Sequence, residues 1–149
     1  MDAVNWTVRV HAAGRRRAIA YARDHRFEIG APVEFDETAA TVSALEYALA
    51  ALAGDLVNTF STLARRQRLE VDAIEAVVTG ALNNPLTVLQ VVGEDGHPGL
   101  EHIALKLYVG SSAPAADVNA LWEETQTLSP LVLTLRSAVT LDLDLVITP

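Results

Sequence analysis

An α+β protein is expected from three features of this chain. Alternating apolar segments stand near both ends, at Val4–Val10 and Val139–Ile147. One long apolar helical stretch runs from Ser43 to about Gln67. Two further extended runs, Ala73–Leu82 and Glu101–Val109, follow it with helical segments between the strands. With 149 residues, 50% of them hydrophobic, the chain has material for a sizeable core, and residues 1–149 are read as one domain.

In the first strand Val4, Trp6, Val8 and Val10 share a face, and Ala12-Ala13-Gly14 permits a turn after which Arg16–Ala22 returns as a hairpin partner. Phe27–Phe35 reads as extended around Gly30 and Pro32. Ser43 is a natural N-cap for the long helix, and Glu46 three residues on completes a capping box. Leu45, Leu49, Leu52, Leu56, Phe60 and Leu63 then recur at intervals of three or four and form one stripe. Ala73–Leu82 is a strand, and Asn84-Pro85 supplies an N-cap and first residue for a short helix through about Val91. Gly93–Gly99 is turn-rich, and Glu101–Val109 is the next strand. From Ser112 and Pro114 a helix follows whose Val118, Leu121, Trp122 and Thr125 share a face. Leu128-Ser129-Pro130 breaks it, Pro130 starts a short segment to about Arg136, and Val139–Ile147 is the last strand with Asp142 and Asp144 on its exposed face. Trp6 and Trp122 both lie on apolar faces and are expected in a core.

The balance of charge excludes some partners. Nineteen acids against eleven Lys and Arg give a net charge of −8, which opposes binding to a phosphate backbone, so no nucleic acid is expected. The basic runs Arg15-Arg16-Arg17 and Arg65-Arg66 with Arg68 could contact an anion, but are read first as turn and helix-end charges. Residues 1–20 do not look like a signal peptide, and no stretch approaches the roughly 20 apolar residues of a membrane span. A soluble, cytoplasmic protein without a membrane partner is the expectation. The four histidines are scattered and form no metal-binding spacing, so neither metal nor cofactor is expected. No phosphate-binding glycine loop or nucleophile elbow is present.

One residue departs from the long helix's apolar pattern. Asp55 projects at the edge of the stripe, where an ionised carboxylate is costly unless it is paired, hydrogen-bonded or reached by water. The string Ser-Ala-Leu-Glu-Tyr-Ala-Leu-Ala-Ala-Leu-Ala-Gly-Asp, residues 43–55, resembles the central helix of the OsmC/Ohr family of osmotically inducible and organic hydroperoxide resistance proteins. Residues 60–80 and 99–109 resemble the family's next segments in order, and Thr127–Val132 resembles its Cys-Pro-Val segment. The resemblance implies an OsmC-like fold, with antiparallel sheets around a long central helix in an intertwined homodimer and sites at the subunit interface. It places Asp55 at the peroxidatic cysteine and Ser129 at the resolving cysteine.

This chain has no cysteine at all. A carboxylate and a hydroxyl cannot pass through the sulfenic acid and disulfide stages of thiol peroxide reduction, so that activity is excluded. The resemblance also matches Glu46 to a glutamate that orients an activating arginine, with Ala44 where a variant pattern has proline. That arginine comes from the N-terminal strands, making Arg15, Arg16, Arg17 and Arg26 candidates, and an arginine opposite Asp55 would stabilise its charge. Nine residues of straight helix turn Glu46 about 180° from Asp55, so a joint site needs a bend or a second subunit.

The leading expectation is binding of a small, partly apolar molecule at the interfacial pocket, with Glu46, Asp55, Ser129 and an N-terminal arginine as polar contacts. The alternatives are a non-redox enzyme, most plausibly a hydrolase using Asp55 and Ser129, and a dimeric scaffold with no small ligand.

Overall fold

In the computed structural model, which describes residues 4–149, the chain forms two compact units that divide between Ala48 and Leu49. The first contains a three-stranded antiparallel meander in the order β1 (Arg9–Ala12), β2 (Ala18–Ala22) and β3 (His25–Ile29). β1 is shorter than the alternation at Val4–Val10 suggested. Its ladder begins with Arg9 opposite Tyr21, and β2 ends one residue later at Ala22, so residues 4–8 extend beyond the ladder. Trp6, expected in a core, is therefore 86% exposed, and Val4, Val8 and Val10 are exposed with it. Trp122 is buried as expected. Extended structure also stops at Ile29 rather than Phe35. Gly30 N donates to Val42 O at 2.7 Å, and Asp36 accepts from Thr38 N and Thr38 Oγ1 in a turn.

α1 (Ala44–Gln67) starts and stops on local chemistry. Glu46 N donates to Ser43 Oγ at 3.2 Å, and Ser43 N donates to Glu46 Oε2 at 2.7 Å, which is the reciprocal capping box. The Ser43 backbone N–H and then its hydroxyl hold the Glu46 carboxyl below its ordinary 4.5. A carboxyl depressed in the folded state stabilises the fold above its unfolded value, and that contribution is lost as pH falls through the folded one. Glu46→Gln should accordingly flatten the loss of stability between about pH 5 and pH 3, as read from urea midpoints across that range.

At the other end Arg68 takes a left-handed conformation, φ +56°, while Arg68 N donates to Arg65 O at 3.3 Å and Leu69 N to Ala64 O at 2.9 Å. These are the two bonds of a Schellman stop, whose left-handed position favours glycine. Arg68→Gly should raise stability by about 0.5–1 kcal/mol, visible as a higher thermal midpoint.

The second unit is a mixed sheet covered by helices. β4 (Ala73–Leu82) pairs antiparallel with β5 (Leu100–Gly110), and β6 (Thr140–Thr148) lies on the other side of β5. The pairing of β6 corrects the all-antiparallel expectation, because it runs parallel to β5 from His102 opposite Thr140 to Gly110 opposite Thr148. A parallel neighbour requires a long crossover, and α2 (Ala115–Leu128) with α3 (Pro130–Leu135) supplies it.

The core joins Leu52, Leu56, Phe60 and Leu63 of α1 to Ile103, Leu105, Leu107 and Val109 of β5 and to Val118, Leu121 and Trp122 of α2. Gly80 allows β4 to come close to α1, since a Cβ there would lie 3.0 Å from Leu49 Cδ2. The helix expected from Pro85 to Val91 shrinks to a single 3-10 turn, Pro85–Thr87, capped by Asn84 Oδ1 on Leu86 N. The β-branched Thr87, Val88, Val91 and Val92 resist helix propagation, and Gln90 leaves it at φ +54°. No helix among the described residues is long and apolar enough to cross a membrane.

Candidate functional site

Pro130 fixes where the site forms. Its ring has no N–H to contribute to a continuing α2 and suits the first turn of a new helix, so α2 ends at Leu128 and α3 begins at Pro130. Between them Ser129 is extended, at φ −79° and ψ 113°, and caps α3 by accepting from Val132 N at 3.1 Å. Its hydroxyl hydrogen remains to be placed. Ser129 Oγ donates it to Asp55 Oδ2 at 2.6 Å, joining positions 74 residues apart in the chain. The same carboxylate oxygen accepts from Leu131 N at 3.0 Å, and Asp55 Oδ1 accepts from Thr59 Oγ1 at 3.3 Å.

The free amides of α3 are thereby accounted for. Pro130 has none, Leu131 N goes to Asp55 and Val132 N goes to Ser129. Asp55 acts as a second cap, supplied by α1, and its carboxylate accepts from two hydroxyls and a main-chain amide. The geometry is a closed clasp, with Ser129 completely buried. A nucleophile must touch its substrate, and Ser129 Oγ has no exposed surface and no histidine among its hydrogen-bond partners.

Beside the clasp lies an open groove of about 280 Å³, lined by Asn58, Thr59, Thr62, Leu63, Arg66 and Leu128. Thr59 belongs to both features, and Leu128 immediately precedes Ser129. A larger depression of about 440 Å³ is lined by Val57, Ser61, Arg65, Leu69 and Asp72 among others, and no residue of the clasp borders it.

The other sequence candidates lie in the first unit. Glu46 is committed to the helix cap. Arg16 Nη2 stands 3.5 Å from Glu34 Oε2, and Arg17 Nε stands 3.5 Å from Glu28 Oε1. Arg15, in the β1–β2 turn, and Arg26, on β3, are exposed. Of the candidates, Asp55 and Ser129 are the pair brought into direct contact. Sequence reasoning missed Thr59, Leu131 and Leu128, and named Arg66 only as part of a basic run. Thr59 was open to it, because a hydroxyl four residues after an acid lies on the same helical face. Leu131 N was open to it as well, since Ser-Pro marks a cap whose next amides need acceptors.

Three of the four histidines have local partners. His11 stacks on Tyr21 with ring centroids 5.7 Å apart, His97 Nδ1 accepts from Gly99 N, and His102 Nε2 lies 2.5 Å from Asp142 Oδ2. Among the described residues no three metal-ligating side chains gather.

Several solved structures resemble this chain closely in fold. An OsmC-like protein from Mycoplasma pneumoniae superposes with a TM-score of 0.82 at 16% identity, covering 100% of both chains. An OsmC-like protein of unknown function from Vibrio cholerae gives 0.76 at 14% identity, over 97% of this chain and 100% of that one. The organic hydroperoxide resistance protein OhrB of Bacillus subtilis gives 0.62 at 19% identity, over 95% and 98%. At such identities these likenesses speak for the fold alone. No curated protein matches the sequence. The family described as OsmC-like protein matches residues 36–144, well over half of the sequence, and the chain belongs to that family.

Proposed function

We propose that this chain is an OsmC-like protein without thiol peroxidase chemistry that holds a small, partly apolar molecule in the groove beside the Asp55–Ser129 clasp. It works on this reading as a cytoplasmic homodimer, with no nucleic-acid or membrane partner. The observation that carries the reading is an open, largely apolar groove lined by Thr59, which bonds Asp55, and by Leu128, which precedes Ser129, next to the two positions that resemble the family's thiol sites. Asp55 and Ser129 then have a different role from the one expected of them. They build the groove's wall by fixing the α2–α3 corner, and Thr59, Thr62 and Leu128 meet the ligand.

The hydrolase alternative loses support, because Ser129 is buried and its hydroxyl is engaged on both sides. A scaffold without a ligand is the second reading. Two observations favour it: the complete satisfaction of Asp55 by its own chain, and the exposed apolar row of Val4, Trp6, Val8 and Val10, which a second copy would cover.

The test has three arms. Cumene hydroperoxide with a dithiol reductant should be consumed no faster than without protein, and turnover would overturn the non-thiol reading. Light scattering should return twice the 16.0 kDa chain mass. Titration of small apolar probes, followed by amide NMR, should move residues 58–66 and 128. A dimer whose groove amides respond to no probe would hand the assignment to the scaffold reading.

A further inference from the structure

The groove has an electrical direction. Arg65 and Arg66 both sit in the last turn of α1, where cations suit the helix dipole, but they are not equivalent. Arg65 Nε turns back to Ser61 O at 3.4 Å and borders the larger depression. Arg66 lines the groove, and among the described residues its guanidinium has neither an ion-pair nor a hydrogen-bond partner. The acid one turn before Leu128 on α2, Glu124, is engaged by Gln67, whose Nε2 donates to Glu124 Oε2 at 2.6 Å. At the opposite end, Thr59 is tied to the Asp55 carboxylate. A free cation therefore stands at one end and a fixed anion behind the other. Between them lie Thr62, the buried Leu63 and the 53%-exposed Leu128. Seven residues of helix separate Thr59 from Arg66, about 10 Å along the axis.

Resting on the groove reading above, we propose that the ligand is a medium-length amphiphilic carboxylate, its acid group on Arg66 and its tail along Leu63 and Leu128 toward Thr59. An alkyl chain of that length covers Leu128, and Arg66 offers two parallel N–H donors in the geometry a carboxylate accepts. Asp55 enforces the orientation by repelling a carboxylate at the Thr59 end.

Three probes with one tail and different heads test the idea: octanoate, octanol and octylamine, each titrated at low salt with amide NMR to locate binding at residues 58–66 and 128. Octanoate should bind about three- to fivefold tighter than octanol, the range of one exposed ion pair, and octylamine should bind weakest. The preference should shrink as salt is added. Arg66→Gln should erase the difference between octanoate and octanol, and Arg66→Lys should retain most of it. Equal binding of octanoate and octanol would overturn the carboxylate assignment while leaving the groove reading standing. Survival of the preference in Arg66→Gln would overturn the role of Arg66. Absence of binding by all three would overturn the groove reading itself.

Discussion

Asp55→Ala should lower the stability of the fold by about 3 kcal/mol. The substitution removes the acceptor of the fully buried Ser129 hydroxyl and of Leu131 N together. Hydrogen bonds to a charged group are worth about 1.5–3 kcal/mol, and a buried donor left without a partner costs about 1–3 kcal/mol. Against a total stability of about 5–15 kcal/mol that is a large fraction. Asp55→Asn should cost less, about 1 kcal/mol, because its amide oxygen still serves Leu131 N while the buried Ser129 hydroxyl donates to a weaker partner. The clasp itself is read from a cycle of Asp55→Asn, Ser129→Ala and the double variant, where a coupling of about 1–2 kcal/mol is expected from urea unfolding. A change within about 0.5 kcal/mol for Asp55→Ala would mean that the clasp contributes little, and Asp55 would return as a ligand-binding group.

Phe60→Ala should cost about 4 kcal/mol, the largest loss expected of a single truncation here. Phe60 is the largest of the fully buried side chains and belongs to the core that α1 shares with β5 and α2. The lost transfer energy and the cavity left among side chains of the sheet and helix add together, since neighbours anchored in a strand ladder relax poorly. A chemical-denaturation midpoint displaced with little change in slope is the expected signature. A cost below about 2 kcal/mol would show that the neighbouring side chains close over the gap. The comparison with Asp55→Ala is informative, because Phe60 tests the packing of α1 and Asp55 tests its polar connection to the α2–α3 corner.

What could be read from the sequence follows from where the controlling physics is local. The Ser43–Glu46 box, the stripe from Leu52 to Leu63 and the β4 span Ala73–Leu82 depend on residues close in the chain, and each is found where spacing put it. The parallel course of β6 was not legible, because alternation sets a strand's two faces and says nothing of its direction. Trp6 misled for a related reason: an apolar strand face signals burial only where a neighbouring strand reaches it, and β2 ends at Ala22. The contact of Asp55 with Ser129 could be expected only from the resemblance, since no periodicity links positions 74 residues apart. What closes their hydrogen bonds, Leu131 N and Thr59 Oγ1, was within reach of capping rules applied to Ser129-Pro130 and of helical spacing, but was not read from them.

The crossover from β5 to β6 also bears on how the molecule is made. During synthesis β4 and β5 can pair as soon as Gly110 has cleared the ribosome, but the third strand must wait for both connecting helices. Until residues near Val132 emerge, the nascent chain presents Leu52, Leu56 and Phe60 without their α2 cover, and Asp55 without its α3 amide. Such late, non-local closure is slow and leaves apolar surface open to other chains until the α2–α3 crossover is complete.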